Sequence, residues 1–233
     1  MKAIILAGGK GLRLGPISKL TPKPMVKIGN KPILWHILKL LSNNGINDFL
    51  ICLGYKGNVI KKYVSTIKEN WNIECVDTGL NTLTAKRIGL IKDKIKDDFF
   101  LMTYGDGLAN ININKLIKTH LKKKKIATVT AVAPIPRFGS INIKNGLVSN
   151  FNEKPIDTTN LINGGFFILD KKIFDFVDLK KNVMWEQEPM MKLAKEKQLT
   201  AYHHKGFWHP MDTERDKKLL NNLFKKGAPW IDR

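Results

Sequence analysis

The chain has 233 residues, 43% of them hydrophobic, which is enough for one large domain or two small ones with a sizeable core. No apolar run is long enough to span a bilayer, and the N-terminus enters a strand without a signal peptide's charged-then-apolar layout, so a cytoplasmic protein without a membrane partner is expected. The formal net charge of +20 does not read as nucleic-acid binding: only five of the 40 basic residues are Arg, the Lys residues are scattered, and no aromatic-interleaved basic stripe occurs, as an AT-rich coding sequence would produce.

Lys2 to Ala7 reads as a short buried strand that runs into Gly8-Gly9-Lys10-Gly11-Leu12-Arg13. Glycines at a strand end let a ligand approach the backbone without Cβ clashes, and their N–H groups can cradle an anion. Lys10, Arg13 and Lys23 add cations to the same mouth, so this is a place to hold polyphosphate. The stretch lacks the third glycine of the dinucleotide pattern and the Gly-Lys-Ser/Thr of the P-loop.

Lys31 to Asn43 then reads as a helix, with Pro32 in its first turn and Gly45 as its stop. The alternation continues with a strand at Asp48 to Leu53, a helix at Gly57 to Lys68, a strand at Ile73 to Val76 and a helix at Leu83 to Ile95. Phe99 to Thr103 is a buried strand ending in Tyr104-Gly105-Asp106-Gly107, followed by a helix at Asn114 to Leu121 and a strand at Ile126 to Ala133. Such alternation predicts a parallel sheet covered on both faces, with ligands beyond the carboxyl ends of its strands. The cationic loop and Asp106 therefore fall on one edge of one sheet.

The second half changes style, with short strands at Phe138 to Ile143, Leu147 to Phe151, Ile162 to Leu169 and Leu199 to His204. Lys171 to Phe176, Glu186 to Lys195 and Thr213 to Lys225 read as helical, and Asp212 stands where a helix N-cap would. This half is expected to extend the sheet and form the second wall of a cleft. The division is then a single domain, with residues 1–135 as a nucleotide-binding half and 136–233 as an acceptor-binding half. Cys52 and Cys75 read as reduced, buried thiols, His36 as a packed core residue, and His203 and His204 as one facing in and one out.

The stretch Leu6 to Leu14 with Pro22-Lys23-Pro24-Met25 resembles the signature of sugar-nucleotide pyrophosphorylases, a nucleotidyltransferase family. The likeness continues through Gly54-Tyr55-Lys56-Gly57, Tyr104-Gly105-Asp106-Gly107, Glu153-Lys154-Pro155, Asn163-Gly164-Gly165, Trp185-Glu186 and Gly206 to Thr213, over nearly the whole chain. Within the family it is most similar to the cytidylyltransferases of glucose 1-phosphate. The resemblance implies an α/β, Rossmann-like three-layer sandwich with a mixed, mostly parallel central sheet, of the GT-A-like kind.

It also implies an activity: transfer of CMP from CTP, or another nucleoside triphosphate, to the phosphate of a small acceptor such as glucose 1-phosphate, with release of pyrophosphate. A non-sugar acceptor such as L-glutamine phosphate in capsule modification is the alternative, and a non-catalytic nucleotide-binding regulator is a second. By resemblance, Leu6, Ala7, Gly8, Gly9, Gly11, Thr84, Arg87, Tyr104 and Gly105 bind the nucleotide. Arg13 and Lys23 act catalytically, Arg13 on the leaving β/γ-phosphates and Lys23 at the α-phosphate. Asp106 and Asp212 match the aspartates that bind Mg²⁺, a hard cation suited to carboxylates. Lys154 matches a grip on the acceptor phosphate, and Glu153, Asn163, Gly164 and Glu186 match contacts to the acceptor. A homo-oligomer is expected.

Plainer roles stand beside these: a turn aspartate for Asp106, a salt-bridged helix arginine for Arg87, an exposed turn for Glu153-Lys154-Pro155. The chain also departs from the family's pattern. Leu12 replaces a usual Thr, Thr84-Ala85-Lys86-Arg87 replaces threonine-glycine-glycine-arginine, His209 replaces a glutamine, and Tyr63 to Trp71 is short where the cytidylyltransferases carry a long insertion.

Overall fold

The computed structural model describes residues 1–135, 138–153 and 160–231. Strand β1 (Ala3–Leu6) leads through a short 3-10 turn (Leu12–Leu14), α1 (Pro16–Leu20) and a second 3-10 turn (Lys23–Met25) to a two-residue ladder, β2 (Lys27–Ile28) with β3 (Lys31–Pro32). Then follow α2 (Ile33–Asn43), β4 (Asp48–Leu53), α3 (Gly57–Val64), β5 (Asn72–Asp77), α4 (Thr84–Gly89), β6 (Phe99–Tyr104), β7 (Gly107–Ala109), α5 (Ile113–Lys123) and β8 (Ala127–Val132). The second half comprises β9 (Ser140–Lys144), β10 (Leu147–Asn152), β11 (Ile162–Asp170), α6 (Glu188–Lys195), β12 (Leu199–His203), β13 (Trp208–Pro210) and α7 (Glu214–Lys225).

Seven strands form one sheet in the order β12-β8-β11-β6-β1-β4-β5. β1 pairs in parallel with β4 and β6, β4 with β5, and β8 with β12, while β11 runs antiparallel to both β6 and β8. The sheet is therefore mixed and mostly parallel. Its inner strands β1, β4, β6 and β11 are buried on both faces, which is why they read as continuous apolar runs, while the edge strands β5 and β12 are only half-buried. Ala3 and Ile5 point to a core shared with Leu34, Ile37 and Leu41 of α2 and Leu220 of α7. Ile4 and Leu6 point to the other face, with Ile88 of α4, Trp185 and Leu193 of α6. Helix, sheet and helix make three layers, and each fully buried Ile, Leu or Phe contributes roughly 1.5–3 kcal/mol.

Several expected elements are shorter or tighter than their patterns. The helix expected at Leu83 to Ile95 is α4 plus a 3-10 turn at Lys92–Lys94, and Lys171–Phe176 is 3-10 throughout. The helix expected to reach Lys68 stops at Val64. Pro32 is the N-cap of α2 rather than part of its first turn. The N-cap of α7 is Thr213, not Asp212: its hydroxyl accepts from the Asp216 N–H at 3.2 Å, and the Asp216 carboxylate accepts from the Thr213 N–H at 2.8 Å. His36 is a core residue, its Nε2 2.9 Å from the Ile28 carbonyl and its Nδ1 accepting from Trp230 at 3.2 Å. His204 is buried and His203 exposed; both cysteines are free thiols, but only Cys52 is buried, Cys75 on edge strand β5 being half-buried.

Candidate active site

The carboxyl ends of β1 and β6 open side by side, with Leu6 in register with Tyr104. β11 runs the other way, so its amino-terminal residues Asn163 to Gly165 reach the same edge. Between them lies a cleft of about 630 Å³. Every proposed nucleotide, catalytic and metal residue lines it: Leu6, Ala7, Gly8, Gly9, Gly11, Arg13, Lys23, Thr84, Arg87, Tyr104, Gly105, Asp106 and Asp212. Asn163, Gly164 and Glu186 line it as well. Glu153 does not; it is exposed, next to the hairpin formed by β9 and β10. Lys154 lies outside the described residues.

The glycine loop is held by its carbonyls and leaves its donors open. Tyr55 N–H donates to the Gly8 carbonyl at 3.0 Å, and Leu14 N–H donates to that of Gly11 at 3.1 Å. Among the described residues, no protein acceptor takes a hydrogen bond from the N–H groups of Gly8, Gly9, Lys10 or Gly11. Such a row of unpartnered N–H groups is suited to an anion. Gly11 has φ +63°, and a Cβ there would come 2.9 Å from that of Lys23, so the loop closes over the root of this lysine only with glycine in place.

Asp106 and Asp212 are brought together by a ladder only three residues long. β7 and β13 pair antiparallel with Gly107 opposite Pro210, and the Met211 N–H donates to the Asp106 carbonyl at 2.8 Å. One aspartate precedes β7 and the other follows β13, so the ladder sets them side by side. Asp212 is further fixed through its own N–H, which donates to Asp216 at 3.0 Å within the α7 cap.

The two carboxylates share Lys23. Its Nζ donates to Asp106 Oδ2 at 2.5 Å and to Asp212 Oδ1 at 2.6 Å, while Arg13 Nη1 donates to Asp212 Oδ2 at 2.8 Å. Pro22 and Pro24 restrict the backbone on either side of Lys23, whose 3-10 turn buries the stem of the side chain. Leu12, by contrast, is 73% exposed, so the residue that departs from the family's Thr points outward at the mouth of the cleft.

Arg87 holds the protein rather than pairing with an acid. Its Nη1 donates to the Leu53 carbonyl at 2.8 Å and to Thr78 Oγ1 at 2.5 Å, and its Nη2 donates to the Gly8 carbonyl at 3.2 Å. Burial lowers its pKa from the usual guanidinium value. The salt-bridged reading is therefore replaced by a backbone brace. A Cβ on Gly8 would fall inside this guanidinium.

Across the cleft, the Tyr104 hydroxyl donates to Glu186 Oε1, and Asn163 Nδ2 donates to the Tyr104 oxygen at 3.4 Å. Burial, and then the Glu186 carboxylate, push the Tyr104 pKa up, so the phenol stays protonated as a donor. Thr84 Oγ1 accepts from the Trp185 N–H at 2.7 Å and donates to Glu186 Oε2 at 3.4 Å. The altered Thr84 to Arg87 stretch thus anchors both Glu186 and the glycine loop.

Thr82, Leu83, Met184, Trp208 and Pro210 also line the cleft and were not among the expected site residues. Trp208 Nε1 donates to the Gly164 carbonyl at 2.7 Å, tying β13 to β11. Its place in the Gly206 to Thr213 stretch was the one sequence signal that could have found it.

Residues 2–216 match the nucleotidyl transferase family. A glucose-1-phosphate cytidylyltransferase of Salmonella typhimurium is 46% identical over 99% of this chain and 98% of its own. That alignment spans 254 positions against 233 residues here, so at least 21 positions face no residue of this chain. Among solved structures, HddC from Yersinia pseudotuberculosis complexed with GMP-PN superposes with a TM-score of 0.75 at 26% identity, covering 96% of this chain and 99% of that one. UDP-glucose pyrophosphorylase complexed with UDP-glucose shares the fold with a TM-score of 0.75 at 20% identity, covering 97% of this chain and 98% of that one.

Proposed function

The chain belongs to the nucleotidyl transferase family, and from that premise we propose that it transfers CMP from CTP to glucose 1-phosphate, giving CDP-glucose and pyrophosphate. The observation that carries the reading is the convergence of Arg13, Lys23, Asp106 and Asp212 beside four open backbone N–H groups, in a chain so similar to that cytidylyltransferase. The reaction belongs to nucleotide-sugar and surface-polysaccharide biosynthesis.

In this reading an acceptor phosphate oxygen attacks the α-phosphorus of CTP, and the bond to the bridging β-phosphate oxygen breaks. Both reactants are anions, and each pair of unit charges near 4 Å repels by roughly 4 kcal/mol at an effective dielectric near 20. The protein's part is to offset that repulsion and fix the line of attack. The N–H groups of Gly8, Gly9, Lys10 and Gly11 hold the triphosphate, and Arg13 takes the leaving pyrophosphate. Lys23, whose Nζ rests between the two carboxylates proposed for the cation, turns to the α-phosphate when the cation takes them. Leu6, Ala7, Thr84, Tyr104 and Gly105 complete the nucleotide wall, with Arg87 as the brace of the loop.

Asp106 and Asp212 fit a divalent cation. Two carboxylate oxygens lie within hydrogen-bond reach of one ammonium nitrogen, and Mg²⁺ is commonly held by one or two carboxylates with waters and substrate phosphates filling its shell. When bound, it supplies charge neutralisation at the phosphate oxygens. Asn163, Gly164 and Glu186 take the acceptor, with Lys154 on its phosphate; Glu153, exposed outside the cleft, is given no part. Residues 1–135 serve the nucleotide and 136–233 the acceptor, except that Asp212 joins the phosphate side. The active enzyme is a homo-oligomer working in the cytoplasm.

The short connection of seven residues between α3 and β5 favours a second reading for the acceptor alone, a non-sugar phosphate such as L-glutamine phosphate. Incubation of each nucleoside triphosphate with each acceptor and Mg²⁺, read by pyrophosphate release, tests both. Turnover with CTP and glucose 1-phosphate is expected; turnover only with an amino-acid phosphate moves the acceptor, and none with any pair removes the catalytic reading.

A further inference from the structure

Strands β9 and β10 form a hairpin closed by a two-residue Asn145–Gly146 turn, with φ +52° and +78°, the left-handed pair that a tight hairpin requires. In its register Val148 faces Ile143 and Phe151 faces Ile141, with an irregularity between Val148 and Asn150 that keeps both pairs in phase. Cross-strand partners lie on one face of a ladder, so Ile141, Ile143, Val148 and Phe151 form a single apolar face. Asn142 and Asn150, also paired, lie on the other. A hairpin patterned this way has one face meant for cover. Among the described residues nothing covers it: these four are 51–66% exposed. A two-stranded ribbon is marginal without such cover.

We propose that this face is the contact between copies of the chain in its homo-oligomer. The proposal rests on the homo-oligomer reading above and names the surface. Three features favour a second copy as the occupant. The four side chains offer on the order of 400 Å² of apolar surface, about the apolar share of the ~800 Å² per partner of a standard interface. Residues 140–152 carry a single charge, Lys144, in a chain with net charge +20, so two copies repel least where these stretches meet. Each copy also brings the same apolar face and the same outer strand edges, which suits a symmetric pairing.

The test is the mass of the full chain by sedimentation across a wide concentration range, for wild type and for an I143D/V148D variant. Wild type is expected to be an oligomer, and the variant to dissociate at concentrations at least roughly 100-fold higher, with the melting of its α/β body unchanged. Concentration-dependent protection of the β9 and β10 amides from hydrogen exchange in wild type is the second readout and needs no variant. A wild-type chain that is monomeric throughout overturns the homo-oligomer reading and this surface with it. An oligomer whose mass the variant keeps, or whose hairpin amides exchange alike at all concentrations, overturns the surface and leaves the homo-oligomer standing.

Discussion

The Arg87 guanidinium donates to the Gly8 carbonyl at 3.2 Å, so a helix in the middle of the chain fixes the loop that opens the site. The same group reaches Leu53 and Thr78, locking the ends of three parallel segments together. Arg87→Lys keeps the charge and loses the fork. Gly8 and Leu53 keep other donors, from Tyr55 and Thr78, so the stability loss is expected to be about 1–3 kcal/mol rather than a failure to fold. The loop loses its anchor, and KM for the nucleotide is expected to rise roughly tenfold or more, with KM for the acceptor changing little. Steady-state kinetics against each substrate check this; equal rises in both would place Arg87 elsewhere in the mechanism.

Asp106→Asn and Asp212→Asn are each expected to lower turnover by roughly 100-fold or more, since each removes charge that holds Lys23 and, in the proposed reading, would hold the metal. The melting temperature should move little for Asp106→Asn, whose carboxylate is partly open to water, and fall further for Asp212→Asn, which breaks the largely covered pair with Lys23. Pyrophosphate release should also stop on chelation and return with added Mg²⁺. Full activity in either variant removes that residue from the metal site.

Gly11→Ala places a methyl group in a left-handed backbone position and against the Lys23 side chain. The strain is about 1–2 kcal/mol, and displaced Lys23 should lower kcat. Urea unfolding and initial rates measure the two effects; a variant with wild-type stability and rate would contradict the loop geometry.

Stability should fall on both sides of a neutral plateau. Burial pushes the Cys52 thiol up to about 12, and burial followed by Glu69 pushes Tyr63 up to about 12. An acid whose folded pKa is raised contributes stability below its unfolded value and loses it as pH rises towards the folded one. For Cys52, between its ordinary 9.0 and about 12, that loss is on the order of 4 kcal/mol. Burial lowers His36 and His120, so their contribution is present above 6.5 and fades as pH falls below it. Cys52→Ala should flatten the alkaline limb and leave the acidic one; an unchanged limb would mean that Cys52 does not set it.

Much of this was legible in the sequence because two strong signals coincide. Apolar runs such as Phe99 to Thr103 mark doubly covered strands, and the Gly8 to Arg13 loop and Asp106 follow such strands directly. What escaped depended on long-range contact. The β7–β13 ladder is three residues a side, too short for any period, yet it brings Asp106 to Asp212. Arg87 looks like a helix-surface arginine until β1, β4 and β5 supply the carbonyls and hydroxyl it holds. Helix ends at Val64 and Gly89 were misjudged because apolar spacing runs on into 3-10 turns and loops that pack just as well.

The central claim is CMP transfer from CTP to glucose 1-phosphate, and ³¹P NMR of the purified chain with CTP, glucose 1-phosphate and Mg²⁺ tests it most directly. The account predicts that the CTP γ-phosphorus signal is lost as free pyrophosphate and a sugar diphosphate appear together in equal amounts. CTP left intact with this acceptor, while another phosphorylated acceptor yields pyrophosphate, would contradict it.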